Sequence, residues 1–233
     1  MAGAIFDSTS GNSSTLQSYF LGERMKRYFT VTSAIAVGLM MASASIADIT
    51  DNSGAGFNIP DDDPSGITSS IIISADETIS DVSVTLFGAT HSWIGDLTAT
   101  ISDGTTTADL FVRVGDPGGT SGDSSTLDGD YTFADGGDDF WLAADNAGFG
   151  APVPQGTYAP TASNDTPVSL AGTFGGASTQ GTWTLFMNDA AQGDTGAITG
   201  WGISFSSAAA VPEPGSLAIL GAMGLACVIR RRR

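Results

Sequence analysis

The chain has 233 residues and a formal net charge of −17, from 25 acidic residues against eight basic ones, with one Cys and one His. That length fits one domain with appendages or two small domains, and the acidic balance leaves too few cations to neutralise phosphates, which excludes nucleic-acid binding. The charge is uneven: Arg24, Lys26 and Arg27 lie near the start, Arg230, Arg231, Arg232 and Arg233 form the end, and residues 48–210 hold 22 acids and the single base Arg113.

Residues 1–24 are expected to be a disordered extension upstream of the true initiator, Met25. From Met25 a basic start leads into an apolar stretch from Tyr28 to Met41 and then into small residues. This order predicts a secretory signal helix over 25–47, handed to the Sec export machinery and cleaved after Ala47 or after Ala44. The alternative is a buried helix, against which the basic start and the small-residue exit both count. Residues 48–58 are expected to be a linker.

The body that follows, 59–206, contains no Lys, one Glu across the wider acidic segment (Glu77) and no Cys, since Cys227 lies in the C-terminal run. Without disulfides its stability has to come from a core or a metal, and its length suffices for one core. Strong helix formers give way to β-branched and turn residues, which points to an all-β domain. Alternation agrees: Val82, Val84 and Leu86; Leu97, Ala99 and Ile101; Leu110, Val112 and Val114; Ile203 and Phe205. Short strands bounded by Gly, Asp, Asn and Pro predict an antiparallel β-sandwich or jelly roll.

Three segments carry a family likeness. They are Ile59-Pro60-Asp61-Asp62-Asp63-Pro64-Ser65-Gly66-Ile67; then His91-Ser92-Trp93-Ile94-Gly95-Asp96-Leu97; and Gly181-Thr182-Trp183-Thr184-Leu185 through Asp189, Asp194 and Gly196 to Trp201-Gly202-Ile203-Ser204-Phe205. In this order they resemble the P/Homo B domain, the β-sandwich that follows the catalytic domain of subtilisin-like proprotein convertases. One departure is Ser102-Asp103-Gly104-Thr105, where the family has Ser-Pro-x-Gly-Thr. The resemblance implies a galactose-binding-like sandwich and an association with serine endopeptidases.

Catalysis is not expected from the chain itself. A Ser-His-Asp system needs an imidazole between nucleophile and carboxylate, and His91, the only one, is expected to be structural. Gly-x-Ser-x-Gly, His-Glu-x-x-His and phosphate-loop patterns are missing. A structural Ca²⁺ is the one cofactor the composition favours, because hard oxygen ligands in loops suit it. Its candidate ligands are Asp61, Asp62 and Asp63 with Asp96 at the Gly-Asp turn, or Asp189 with Asp194. The dense run Asp123, Asp128, Asp130, Asp135, Asp138 and Asp139 lacks EF-hand spacing and reads as a solvated loop. Trp93, Trp183 and Trp201 are expected in or at the edge of the core, and Trp141 is the candidate for stacking on a sugar.

Residues 207–233 close the chain. Val211, Pro212, Glu213 and Pro214 precede the apolar run Leu217–Ile229, predicted to be a short helix, and then Arg230, Arg231, Arg232 and Arg233. The run is shorter than the roughly 20 residues that cross a bilayer comfortably, and the arginines would hold its end in the cytoplasm, as suits a transient membrane anchor. The three parts resemble a PEP-CTERM sorting segment, which implies recognition by an exosortase. Together these features predict an exported adhesion, matrix or binding module of the bacterial envelope or extracellular matrix, with exopolysaccharide or a separate protease as partner. The alternatives are a modulator of a separate subtilisin-like protease and a carbohydrate-binding module.

Overall fold

The computed structural model describes residues 48–116, 118 and 121–207. The expected signal helix with Ala44 and Ala47, and the tail with Val211, Pro212, Glu213, Pro214 and the four terminal arginines, lie outside them. In chain order the elements are β1 (Asp48–Ile59), β2 (Asp63–Ile73), β3 (Ile79–His91), a 3₁₀ turn (Ile94–Asp96), β4 (Leu97–Ser102), β5 (Thr107–Val112) and β6 (Leu127–Asp138). They continue with α1 (Phe140–Ala147), β7 (Gly156–Tyr158), β8 (Thr161–Ala162), a second 3₁₀ turn (Ser163–Asp165), β9 (Thr166–Pro167), α2 (Leu170–Phe174), β10 (Gly181–Asp189) and β11 (Gly196–Ser207).

The strands form a β-sandwich, as the alternation predicts. One sheet has the order β1-β11-β3-β6-β7 and the other β2-β10-β4-β5, with β8 and β9 a separate small pair. Pairing is antiparallel except between β6 and β7. The core lies between the sheets: Val82, Val84, Leu86, Phe133, Ile203 and Phe205 face Trp183, Leu185, Met187, Leu97, Ala99 and Ile101, all buried. Trp201 joins the two sheets, its Nε1 donating to Ser69 Oγ at 3.0 Å.

Three local expectations are corrected. Residues 48–58 are no linker: they form β1, whose backbone pairs with β11 along most of its length. The alternation Leu110, Val112, Val114 is broken by a register shift opposite Ala99 and Thr100, so Leu110 and Phe111 are both buried. The Asp-rich run is no solvated loop: most of it is β6, and four of its six carboxylates, those of Asp123, Asp130, Asp135 and Asp139, accept backbone N–H groups. Asp130 accepts from Gly88 N–H, Asp135 from the Leu170 and Ala171 N–H groups that open α2, and Asp139 caps α1 through Leu142 N–H. Helix starts leave such donors unpaired, which is why short acidic side chains settle there.

A second register shift decides where the functional residues point. β3 is in step with β6 up to Leu86 and again from Ala89, and Gly88 between them has φ +51°, a region that favours glycine. The extra residue moves the inward phase from Val82, Val84 and Leu86 to Ala89 and His91. Strand side chains alternate with period two, so a one-residue shift reverses every later side chain. His91 thus enters the core end of the sandwich.

Candidate functional site

His91 ends β3 in one sheet and Asp189 ends β10 in the other, and they meet across the sandwich with both side chains fully buried. Nε2 of His91 lies 3.1 Å from Asp189 Oδ2. Nδ1 lies 2.8 Å from the Trp93 carbonyl oxygen and 3.1 Å from the Trp93 nitrogen. With a proton on Nε2, whether the ring is neutral or charged, Nε2 donates to Asp189. Both ring nitrogens are therefore engaged by a carboxylate and by backbone, and among the described residues neither meets a serine hydroxyl. Asp189 Oδ1 also accepts from Ala191 N–H at 3.0 Å, starting the turn into the β10–β11 loop.

The sequence between β3 and β4 folds back on this pair. Ile94 N–H donates to Ser125 O and Gly95 N–H to Asp123 O, seating the 3₁₀ turn against the segment before β6. A Cβ at residue 95 would stand 2.5 Å from Asp123 N, closer than side-chain atoms come, so glycine is required. The turn presents Asp96, which is 4% exposed. Its main-chain oxygen accepts from Ala190 N–H, but among the described residues its carboxylate accepts no backbone N–H.

Beside the turn opens a cleft of about 500 Å³ lined by Trp93, Asp96, Arg113, Ser121, Ala191, Gln192 and Asp194. Trp93 Nε1 donates to Ser121 O at 2.7 Å, which fixes the indole in the wall. The ring of Phe149, 83% exposed, meets Trp93 edge to face at 6.1 Å between centroids. Asp194 Oδ1 accepts from Ser92 Oγ at 2.7 Å. Arg113 donates through Nε to Gly95 O at 3.1 Å and lies 3.4 Å from Asp116 Oδ2. Burial, then the Asp189 and Asp194 charges, push the Asp96 carboxyl above the usual carboxylate range, while Arg113 and His91 pull it down.

The two sets of candidate calcium ligands come apart in an unexpected way. Asp96 is grouped with Asp189 and Asp194, whereas Asp61 accepts from Gly193 N–H and Asp63 from Ser65 N–H; Asp62 lies in the β1–β2 turn between them. Among the described residues, no three His, Cys, Asp or Glu side chains stand close enough to hold one metal ion. Trp141 is partly buried against the core, and its enclosed Nε1 lacks a hydrogen-bond partner. The exposed aromatic ring that packs on Trp93 is Phe149, which sequence reasoning missed, along with Arg113, Ser121 and Gln192 of the cleft wall. Arg113 carried one signal: it is the only base in an acidic body.

Residues 210–233 match the PEP-CTERM protein-sorting motif. The chain therefore carries an exosortase-dependent signal for export and envelope sorting. No curated protein matches the chain. Among solved structures it is similar to a serine protease of Aeromonas sobria, with 18% identity, a TM-score of 0.41 and coverage of 70% of this chain and 27% of that one. A chain from the complex of the Aeromonas sobria protease with a chaperone gives 19% identity, a TM-score of 0.39 and the same coverages. This chain thus spans about a quarter of the length of either. Among the described residues no helix is long and apolar enough to cross a membrane.

Proposed function

We propose that the protein is a non-enzymatic β-sandwich that its tail sorts to the bacterial envelope or extracellular matrix, where it acts as an adhesion or binding module. The observation that carries this reading is the sorting motif at 210–233 joined to a sandwich whose only imidazole is buried in an intersheet pair. A general base needs a nucleophile within hydrogen-bond reach, and the nitrogens of His91 instead meet Asp189 and the Trp93 backbone. One surface feature available for binding is the cleft walled by Trp93, and ligand sites are concave places with a few converging polar groups.

A second reading, modulation of a separate subtilisin-like protease, is supported by the motifs that resemble the P/Homo B domain. Those motifs fall on β2, on the β3–β4 connection, and on β10 and β11, the strands that frame the core. Cell fractionation tests the first reading. The wild-type chain is expected at the surface or in the matrix, and a chain with Pro212, Glu213 and Pro214 replaced by Ala is expected to stay in the inner membrane. Identical distributions would refute sorting by the tail, and loss of a surface protease's activity on deleting this gene would favour the second reading.

A further inference from the structure

The cleft holds a carboxylate to which the described residues donate no hydrogen bond. Asp96 is 4% exposed and lines the cleft, yet among the described residues its carboxylate accepts no hydrogen bond, only its main chain being bonded. A buried anion in that position is costly unless something pairs with it. Its acidic neighbours have their own donors: Asp189 takes His91 and Ala191 N–H, and Asp194 takes the Ser92 hydroxyl. Arg113, on the same cleft, has its Nε on Gly95 O and beside Asp116. Two carboxylates, Asp96 and Asp194, thus share the cleft with the one guanidinium of Arg113.

We propose that this cleft binds a primary ammonium group on a slender chain, the side chain of a lysine in a partner polypeptide, with Asp96 and Asp194 facing the charge and Trp93 as a wall. The proposal rests on the binding-module reading and names its partner. A metal ion is the poorer occupant, because no three ligating side chains gather within reach of one ion. An ammonium asks for no such geometry: its three donors rotate freely and two carboxylates can share them. The Trp93 ring is fixed by its bond to Ser121 O before any ligand arrives, and an indole face attracts cations. The methylenes of the arm would pack along Trp93. A body with 22 acids and one base also draws basic partners in from solution.

The test titrates the full-length protein in detergent micelles with acetyl-Gly-Lys-Gly-amide and with the same peptide carrying Nε-acetyl-lysine, following the tryptophan indole resonances by NMR. The lysine peptide is expected to bind at least about tenfold more tightly, the usual worth of a charge-assisted bond. Asp96→Asn is expected to remove about that factor, while Glu77→Gln, an acid removed just before the far end of β3, leaves affinity unchanged. Equal affinity for the two peptides overturns the proposal, and so does Asp96→Asn behaving like Glu77→Gln. The peptide comparison uses the unaltered protein, so it decides even where Asp96→Asn fails to fold. Displacement of the peptide by micromolar Ca²⁺ would assign the cleft to a metal instead, and glucosamine oligomers binding as tightly as the peptide would overturn the choice of a polypeptide. None of these results alters the fractionation outcome, so failure here is distinct from failure of the sorting reading.

Discussion

His91 and Asp189 occupy positions that strand alternation would give to apolar side chains. Asp189 continues the inward series Trp183, Leu185, Met187, and His91 follows Ala89; each is tolerated because it satisfies the other. Replacing His91 with Ala leaves Asp189 Oδ2 buried without that donor, an expected loss of about 1–3 kcal/mol, seen as a lower urea midpoint at unchanged slope. An unchanged midpoint would show that the pair is not structural. Asp96 has the opposite character. Its carboxyl is raised above the usual range mainly by burial, so the folded state binds its proton more tightly than the unfolded chain does. Its contribution to stability is then full below the ordinary Asp value near 4 and is lost as pH rises through the higher folded value. Asp96→Asn should flatten that part of the stability–pH curve; a curve of unchanged shape would contradict the burial argument. His91 was legible in the sequence as the chain's lone imidazole. The isolation of Asp96 was not, because the residues that shape its surroundings, Asp189, Asp194 and Arg113, are remote in sequence.

The elements explain which parts of the sandwich could be read in advance. β4 and β10 show clean alternation, and β3 and β11 show it over part of their length, because one face of each is packed against the opposite sheet. β1 escaped notice because an edge strand buries little: most of Asp48–Ile59 is exposed or half-buried, and its place is set by backbone pairing to β11 rather than by apolar periodicity. The phase change in β3 was equally hidden, since a bulge adds one residue without any compositional mark beyond a glycine. Gly88 makes that bulge possible, and it also donates to Asp130 on β6 at 2.7 Å. Gly88→Ala is expected to cost about 1–2 kcal/mol through its left-handed backbone, with added crowding because a Cβ there would lie 2.7 Å from Thr199 Oγ1. Thermal unfolding checks this. A wild-type midpoint would mean that β3 reaches His91 without the bulge. The acidic run misled for a related reason: capping and strand-edge carboxylates such as Asp135 and Asp139 look like solvated charge until the N–H groups they serve are known.

At the scale of the molecule, charge and sorting are two sides of one asymmetry. Seven of the eight bases lie outside the acidic stretch 48–210, at the two ends of the chain. That stretch alone holds 22 acids and one base, so its own repulsion opposes compaction. Raising salt from about 0.01 M to 0.15 M shortens the screening length from about 30 Å to about 8 Å, and the unfolding midpoint is expected to rise; a midpoint independent of salt would show that the acids are already compensated. The PEP-CTERM match at 210–233 ties the C-terminal basic end to envelope sorting. The most direct test of that account is mass spectrometry of the exported protein from cells with and without their exosortase. The account predicts a surface form in normal cells that ends near Pro212–Pro214, and a cell-retained form carrying Arg233 when the exosortase is deleted. A surface form that keeps Arg233 in both strains would contradict it.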